Sequence, residues 1–218
     1  MAGSRNLPNL ITVGRIVACP AIFFLALSPS VGARFAAFVL FVGAGLSDLW
    51  DGYLARKHGW ITDVGKLLDP MADKLLLVST FIPFYIISNR PGELGWIPLV
   101  GPLLVGPLPF WILTVILGRE VLVTLFRMWA VRQDVVIAAG TSGKYKAFLQ
   151  NLFSGGLLLW YPLQEFAAAR GLDNLLYRAF EQVHSAWIGV TLAFALVLTI
   201  YSMLDYLWTY RALLGFRS

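Results

Sequence analysis

Two apolar runs in this chain meet in acid. Asp48 and Asp51 stand near the end of the run over residues 32–56, and Asp69 and Asp73 open the run over residues 69–88. The spacings, i,i+3 in the first pair and i,i+4 in the second, put each pair on one face of a helix. A carboxylate at or inside the edge of a bilayer is costly unless a cation holds it. The chain is therefore expected to lay these two helices side by side, ends together, with something cationic between them. Asp69 before Pro70 alone reads as a helix cap. Asp48 does not, because it lies about two turns inside Arg56 in apolar surroundings.

Of the 218 residues, 58% are hydrophobic and 13% charged. A soluble domain carries about 25% charged residues, so this balance points to a membrane. The length holds about six spans of ~20 residues with short connections. The expected fold class is an all-α integral membrane protein with six transmembrane helices, over residues 8–28, 32–56, 69–88, 109–132, 144–166 and 186–208, in a single membrane domain covering 1–218. Residues 57–68 and 167–184 read as polar loops. Residues 91–109 hold so many prolines and glycines that a loop is expected there too. The first run is read as a retained span, since Arg15 and Pro20 interrupt it as they would not interrupt a cleaved leader.

The net charge of +5 is read as spans flanked by basic residues that meet anionic lipids, not as a nucleic-acid site, and the eight tryptophans as an interfacial belt. Lone Cys19 excludes a disulfide framework within the chain and a zinc site built of several cysteines. Arg5, Arg56, Lys57, Lys66, Arg132, Lys144, Lys146, Arg211 and Arg217 fall on the side of the termini and the acidic loop; Arg34, Arg90, Arg170 and Arg178 fall opposite. The bias places the acids toward the cytoplasm, in the cytoplasmic membrane of the cell.

The motif brings no matching group of Lys and Arg, so the four aspartates ask for metal ions. Oxygen-only ligands suit Mg2+, Mn2+ or Ca2+. Two such ions neutralise a pyrophosphate and polarise its phosphorus, and a spare carboxylate serves as general base. Gly45, Gly52 and Ala55 leave a face open to close approach, Arg56 sits at the height of a phosphate, and Gly65 lies where a tight approach is plausible.

The pattern D-x2-D-G-x2-A-R-x8-G-x3-D-x3-D over residues 48–73 resembles the signature of the CDP-alcohol phosphotransferases at every fixed position. That resemblance implies a six-helix membrane enzyme, commonly a homodimer, that binds Mg2+ or Mn2+, two ions by this reading. It moves a phosphatidyl or related group from a CDP-linked donor to an alcohol and releases CMP. It further implies that Asp48, Asp51, Asp69 and Asp73 hold metal and that Asp73 is the base. Asp48, Gly52, Ala55, Arg56 and Gly65 would bind the CDP part.

Three further segments, Asn6 to Arg15, Gly118-Arg119-Glu120 with Arg127, and Gly143 to Lys146, resemble bacterial phosphatidylglycerophosphate synthases, a branch of that family. They imply CDP-diacylglycerol as donor and sn-glycerol 3-phosphate as acceptor. Arg119, Arg127, Lys144 and Lys146 would hold the acceptor phosphate, since arginine grips phosphate bidentately and lysine adds a point charge. An inositol phosphate calls for similar cations. The cations disfavour serine, and disfavour phosphatidylglycerol, the acceptor in cardiolipin synthesis. A cation-coupled transporter is the reading from another class; the chain shows no repeat and gathers its acids at one membrane face. Activity is expected to fall on chelation and in acid.

Overall fold

Apolar runs that cannot satisfy backbone groups in lipid must close their hydrogen bonds within each segment, and the outcome is helices. The structure, a computed structural model, describes residues 7–60, 62–91, 95–133 and 141–211. The side chains of Arg56, Asp63, Lys66, Val131, Thr141 and Ser142, and all of Arg5, Asn6 and Arg217, lie outside the described residues. The elements run α1 (Leu7–Leu27), α2 (Val31–His58), α3 (Asp63–Ser88), β1 (Ile97–Pro98), β2 (Val105–Gly106), α4 (Phe110–Val131), α5 (Thr141–Arg170) and α6 (Leu175–Thr209). By length and composition α1, α2, α3 and α6 are apolar enough to cross a membrane. The middle of α4 carries Arg119, Glu120 and Arg127, and α5 carries Gln150, Asn151 and Gln164. The protein is an all-α membrane protein.

Two stretches differ from the sequence reading. The polar stretch 57–68 is mostly helix: α2 runs to His58, and α3 starts at Asp63, not near Asp69. Gly59 closes α2 in the left-handed conformation (φ 65°), and the Thr62 hydroxyl caps α3 by accepting the Gly65 N–H at 3.0 Å. With a cap available at Thr62, Asp69 and Pro70 fall inside the helix. The stretch 167–184 is also helix except for a short turn. Gly171 is left-handed (φ 60°), Asn174 caps α6 by accepting the Tyr177 N–H at 2.8 Å, and Asp173 takes a two-pronged ion pair from Arg178. Residues 95–109 form a loop as expected, but one that holds a small antiparallel ladder, Ile97 opposite Gly106 and Pro98 opposite Val105.

α1 packs on both α2 and α3, α2 on α5, and α5 on α6, while α4 lies against α3 and α6. The core at one end is aromatic: Phe153 of α5 lies between Phe81 and Phe84 of α3, with centroids 5.3 and 5.9 Å away, and Tyr161 follows. Arg34 of α2 pairs with Glu165 of α5 at this end and lies over the Tyr161 ring. Many large apolar side chains face outward along the helices, among them Leu10, Val17, Phe24, Val183, Phe194 and Val197, as lipid contact requires.

The loop bearing β1 and β2 is pressed onto α6 at two glycines. A Cβ on Gly189 would collide with the Gly101 backbone, whereas a Cβ on Gly43 of α2 meets nothing within 4 Å. Gly189→Ala is therefore expected to destabilise the fold by about 1–3 kcal/mol. Gly43→Ala should be neutral or stabilising by about 0.5–1 kcal/mol, because alanine costs less backbone entropy in a helix. Thermal melting of the two purified variants checks the contrast.

Candidate active site

The amino end of α1, the carboxyl end of α2 and the amino end of α3 come together on one side of the bundle. Thr12 and Arg15, one turn apart on α1, are 1% and 2% exposed. The Arg15 guanidinium sits among all four aspartates. It donates to Asp48 through Nη1, to Asp51 Oδ2 through Nη2 at 3.2 Å, and to Asp73 Oδ1 through Nη1 at 3.2 Å, and lies 3.8 Å from Asp69 Oδ1. The Thr12 hydroxyl donates to Asp69 Oδ1 at 2.9 Å and lies 3.4 Å from Asp51 Oδ2. The helical spacings predicted in the sequence thus do bring the carboxylates together, two from α2 and two from α3, but the two helices do not pack side by side as expected: each packs on α1, whose Arg15 bridges them.

The acids are not equivalent. Asp51 forms the floor, with its side chain 4% exposed; Asp48, Asp69 and Asp73 form an open rim at 42, 50 and 66%. Four negative charges face one positive charge, so the cluster keeps a strong attraction for further cations. The donors are all carboxylate oxygens, the chemistry of a hard dication site. Among the described residues no three acidic, His or Cys side chains are arranged as a ready coordination shell, because the carboxylates are aimed at Arg15. Any cation bound here competes with that guanidinium for the same oxygens.

Beside the acids lies a cavity of about 170 Å³. Asp51, Gly52, Ala55, Gly65 and Asp69 line it from α2 and α3, and Pro8, Asn9 and Thr12 line it from α1; Trp60 and Thr62 complete the wall. Gly52, Ala55 and Gly65 of the motif therefore share one cavity. Asp48 and Asp73 flank Arg15 outside its lining, and the side chain of Arg56 is outside the described residues. Gly65 is a close-approach position: an added Cβ would stand 2.9 Å from Asn9 Oδ1 and 3.1 Å from Thr62 Oγ1. Thr62 Oγ1 donates to Asn9 Oδ1 at 2.9 Å, which ties the α2–α3 turn to α1.

The basic residues singled out in the sequence do not form one free cluster. Lys146 of α5, 2% exposed, donates to Glu120 Oε1 of α4, and Arg119 Nη1 reaches the same oxygen at 3.2 Å. Arg127 lies over the Tyr206 ring of α6 at 6.0 Å, and Lys144 is exposed at the start of α5. The Nε groups of Arg119 and Arg127 are buried and, among the described residues, meet no hydrogen-bond acceptor. Lys74, next to Asp73 on α3, donates to the Pro70 carbonyl at 3.4 Å.

Sequence reasoning missed Arg15 and Thr12 as members of the site. The signal for Arg15 was present: an arginine in the middle of a span has to find an acid. The sequence reading takes it as an interruption of the first apolar run and as the end of the Asn6–Arg15 segment, and assigns it no acidic partner.

Comparison with known proteins bears on the same residues. The profile of the CDP-alcohol phosphatidyltransferase family matches residues 5–201. A CDP-diacylglycerol–glycerol-3-phosphate 3-phosphatidyltransferase of Rickettsia bellii is 32% identical over 198 residues, 91% of this chain and 93% of that protein. The Bacillus subtilis protein of the same name is 34% identical over 195 residues, 84% and 92% of the two chains. A Mycobacterium tuberculosis protein named as a probable phosphatidylglycerophosphate synthase is 33% identical over 205 residues, 92% and 79% of the two chains.

Thr62 serves both as the α3 cap and as the tie to Asn9. Thr62→Val, which keeps the shape and removes both bonds, is expected to lower stability by about 1–2 kcal/mol, read as a fall in melting temperature. Gly65→Ala should fall in the same direction, since Asn9 and Thr62 must move apart to admit the methyl group.

Proposed function

As this chain belongs to the CDP-alcohol phosphatidyltransferase family, we propose that it transfers the phosphatidyl group of CDP-diacylglycerol to sn-glycerol 3-phosphate, giving phosphatidylglycerophosphate and CMP. The observation that carries this reading is the meeting of Asp48, Asp51, Asp69 and Asp73 beside a cavity lined by Gly52, Ala55 and Gly65. The names of the bacterial relatives supply the donor and acceptor. The whole chain, 1–218, acts as one membrane-embedded catalytic domain, as a homodimer in the cytoplasmic membrane with its site toward the cytoplasm.

The family typically uses divalent metal. On this reading Asp48, Asp51, Asp69 and Asp73 hold two ions, Mg2+ or Mn2+. Bound there, the metal supplies charge neutralisation for the pyrophosphate and for the departing CMP. Gly52, Ala55 and Gly65 let the CDP part lie close to the α2 and α3 backbones, and Asp48 and Arg56 belong to the same binding set by the family resemblance. Asp73, the most open of the four acids, takes the proton from the primary hydroxyl of the acceptor. The hydroxyl oxygen then bonds to the phosphorus that carries diacylglycerol, and the bond from that phosphorus to the CMP oxygen breaks. Arg119, Arg127, Lys144 and Lys146 attract the acceptor phosphate. Glu120 holds Lys146 and Arg119 in position, and the unpartnered Nε groups of Arg119 and Arg127 are donors available to an anion.

The purified protein is expected to release CMP from CDP-diacylglycerol with Mg2+ and glycerol 3-phosphate, and not when inositol phosphate or phosphatidylglycerol replaces it. Release with only one of those two would reassign the acceptor. A chelator should abolish the reaction, and Asp69→Asn should lose most activity at low Mg2+; full activity in that variant would sink the metal assignment. Asp73→Asn should lower kcat by about 10²–10⁴. Arg127→Ala should raise KM for glycerol 3-phosphate and leave KM for CDP-diacylglycerol near its normal value, which initial-rate kinetics in each substrate will distinguish.

A further inference from the structure

Arg15 is nine-tenths or more buried and central to the acidic cluster, yet its guanidinium takes the oxygens that a cation needs. We propose that Arg15 is a built-in counter-cation: it holds the four carboxylates together and, by competing for their oxygens, sets how tightly the cluster takes a divalent ion. The inference rests on the reading of these acids as the metal-holding set.

The geometry argues for competition as well as support. Nη1 serves Asp48 and Asp73, and Nη2 serves Asp51 with Asp69 beyond it, so one flat group bridges the two helices that supply the acids. The helix that carries it, α1, is packed against both α2 and α3, and it keeps its charge at all working pH values. Among the described residues its Nε has no hydrogen-bond partner, and its guanidinium bonds go to the acids. A dication that takes oxygens from Asp48, Asp69 or Asp73 must therefore break guanidinium bonds and sit near a fixed positive charge. Both effects weaken binding, and both vanish if the charge is removed. Weaker binding has a use in a site that takes up and releases a nucleotide with each turnover, because cations held less rigidly let CMP depart.

The test uses the full-length protein in lipid nanodiscs, with Mn2+ as probe followed by electron paramagnetic resonance, and thermal melting across a Mn2+ titration. Arg15→Gln is expected to bind Mn2+ about tenfold more tightly than the unaltered chain. It should melt several degrees lower without added Mn2+, and saturating Mn2+ should close that gap. Arg15→Lys, which keeps the charge, should hold Mn2+ with an affinity within about threefold of the unaltered chain. A merely structural arginine predicts another result: lower melting at every Mn2+ concentration with affinity unchanged or weaker, and that result overturns the proposal. If Arg15→Gln folds only when Mn2+ is present, the proposal is supported; if saturating Mn2+ does not recover it, the proposal is overturned. Asp69→Asn, measured alongside, reports on the metal reading itself. If the unaltered chain and Asp69→Asn show the same Mn2+ signal, that reading fails and takes the counter-cation with it.

Discussion

A buried guanidinium surrounded by carboxylates from two other helices is the contact on which this architecture turns. An arginine in the middle of a span is tolerable only when paired, and four aspartates at the edge of a membrane are tolerable only when neutralised. Arg15 and the acids meet each other's requirement in one place. The pairing dictates that α1 lie between α2 and α3 and that the three helices present matching ends. Thr12 strengthens the arrangement from the next turn of α1, and the Asn9–Thr62 bond closes it at the surface.

From that constraint the two ends of the bundle take different characters. Around the acids the surroundings are polar and partly open, with small residues at Gly52, Ala55 and Gly65 that leave room for a ligand. At the other end Phe81, Phe84, Phe153 and Tyr161 fill the interior, and the loop carrying β1 and β2 is fitted onto α6 so closely that Gly101 and Gly189 touch. The basic residues of α4 and α5 occupy a third position, steadied by Glu120.

Much of the site was legible in the sequence because it is local. The aspartates, Gly52, Ala55 and Gly65 lie within residues 48–73, and helix geometry alone tells which of them share a face. The apolar runs likewise announced six helices, since a segment in lipid has to close its own hydrogen bonds. Helix ends were harder to read. Residues 57–68 and 167–184 are polar enough to resemble loops, yet Thr62 and Asn174 cap helices there and the helices run on past the apolar stretch. Hydropathy reports where lipid is, while caps report where a helix begins.

The chain's order of residues by itself determined a membrane protein of helices with one face of α2 and one face of α3 rich in acid, because burial and helical period act over a few residues. Only the tertiary structure decided that the cation among those acids comes from α1, that Glu120 ties Lys146 to Arg119, and that Asn9, Thr12 and Trp60 share a cavity with the motif. Those partners are far apart along the chain, and charge has no period to betray its partner. Which acid answers which base is settled by how helices pack, and packing is decided by the whole of the surfaces that meet.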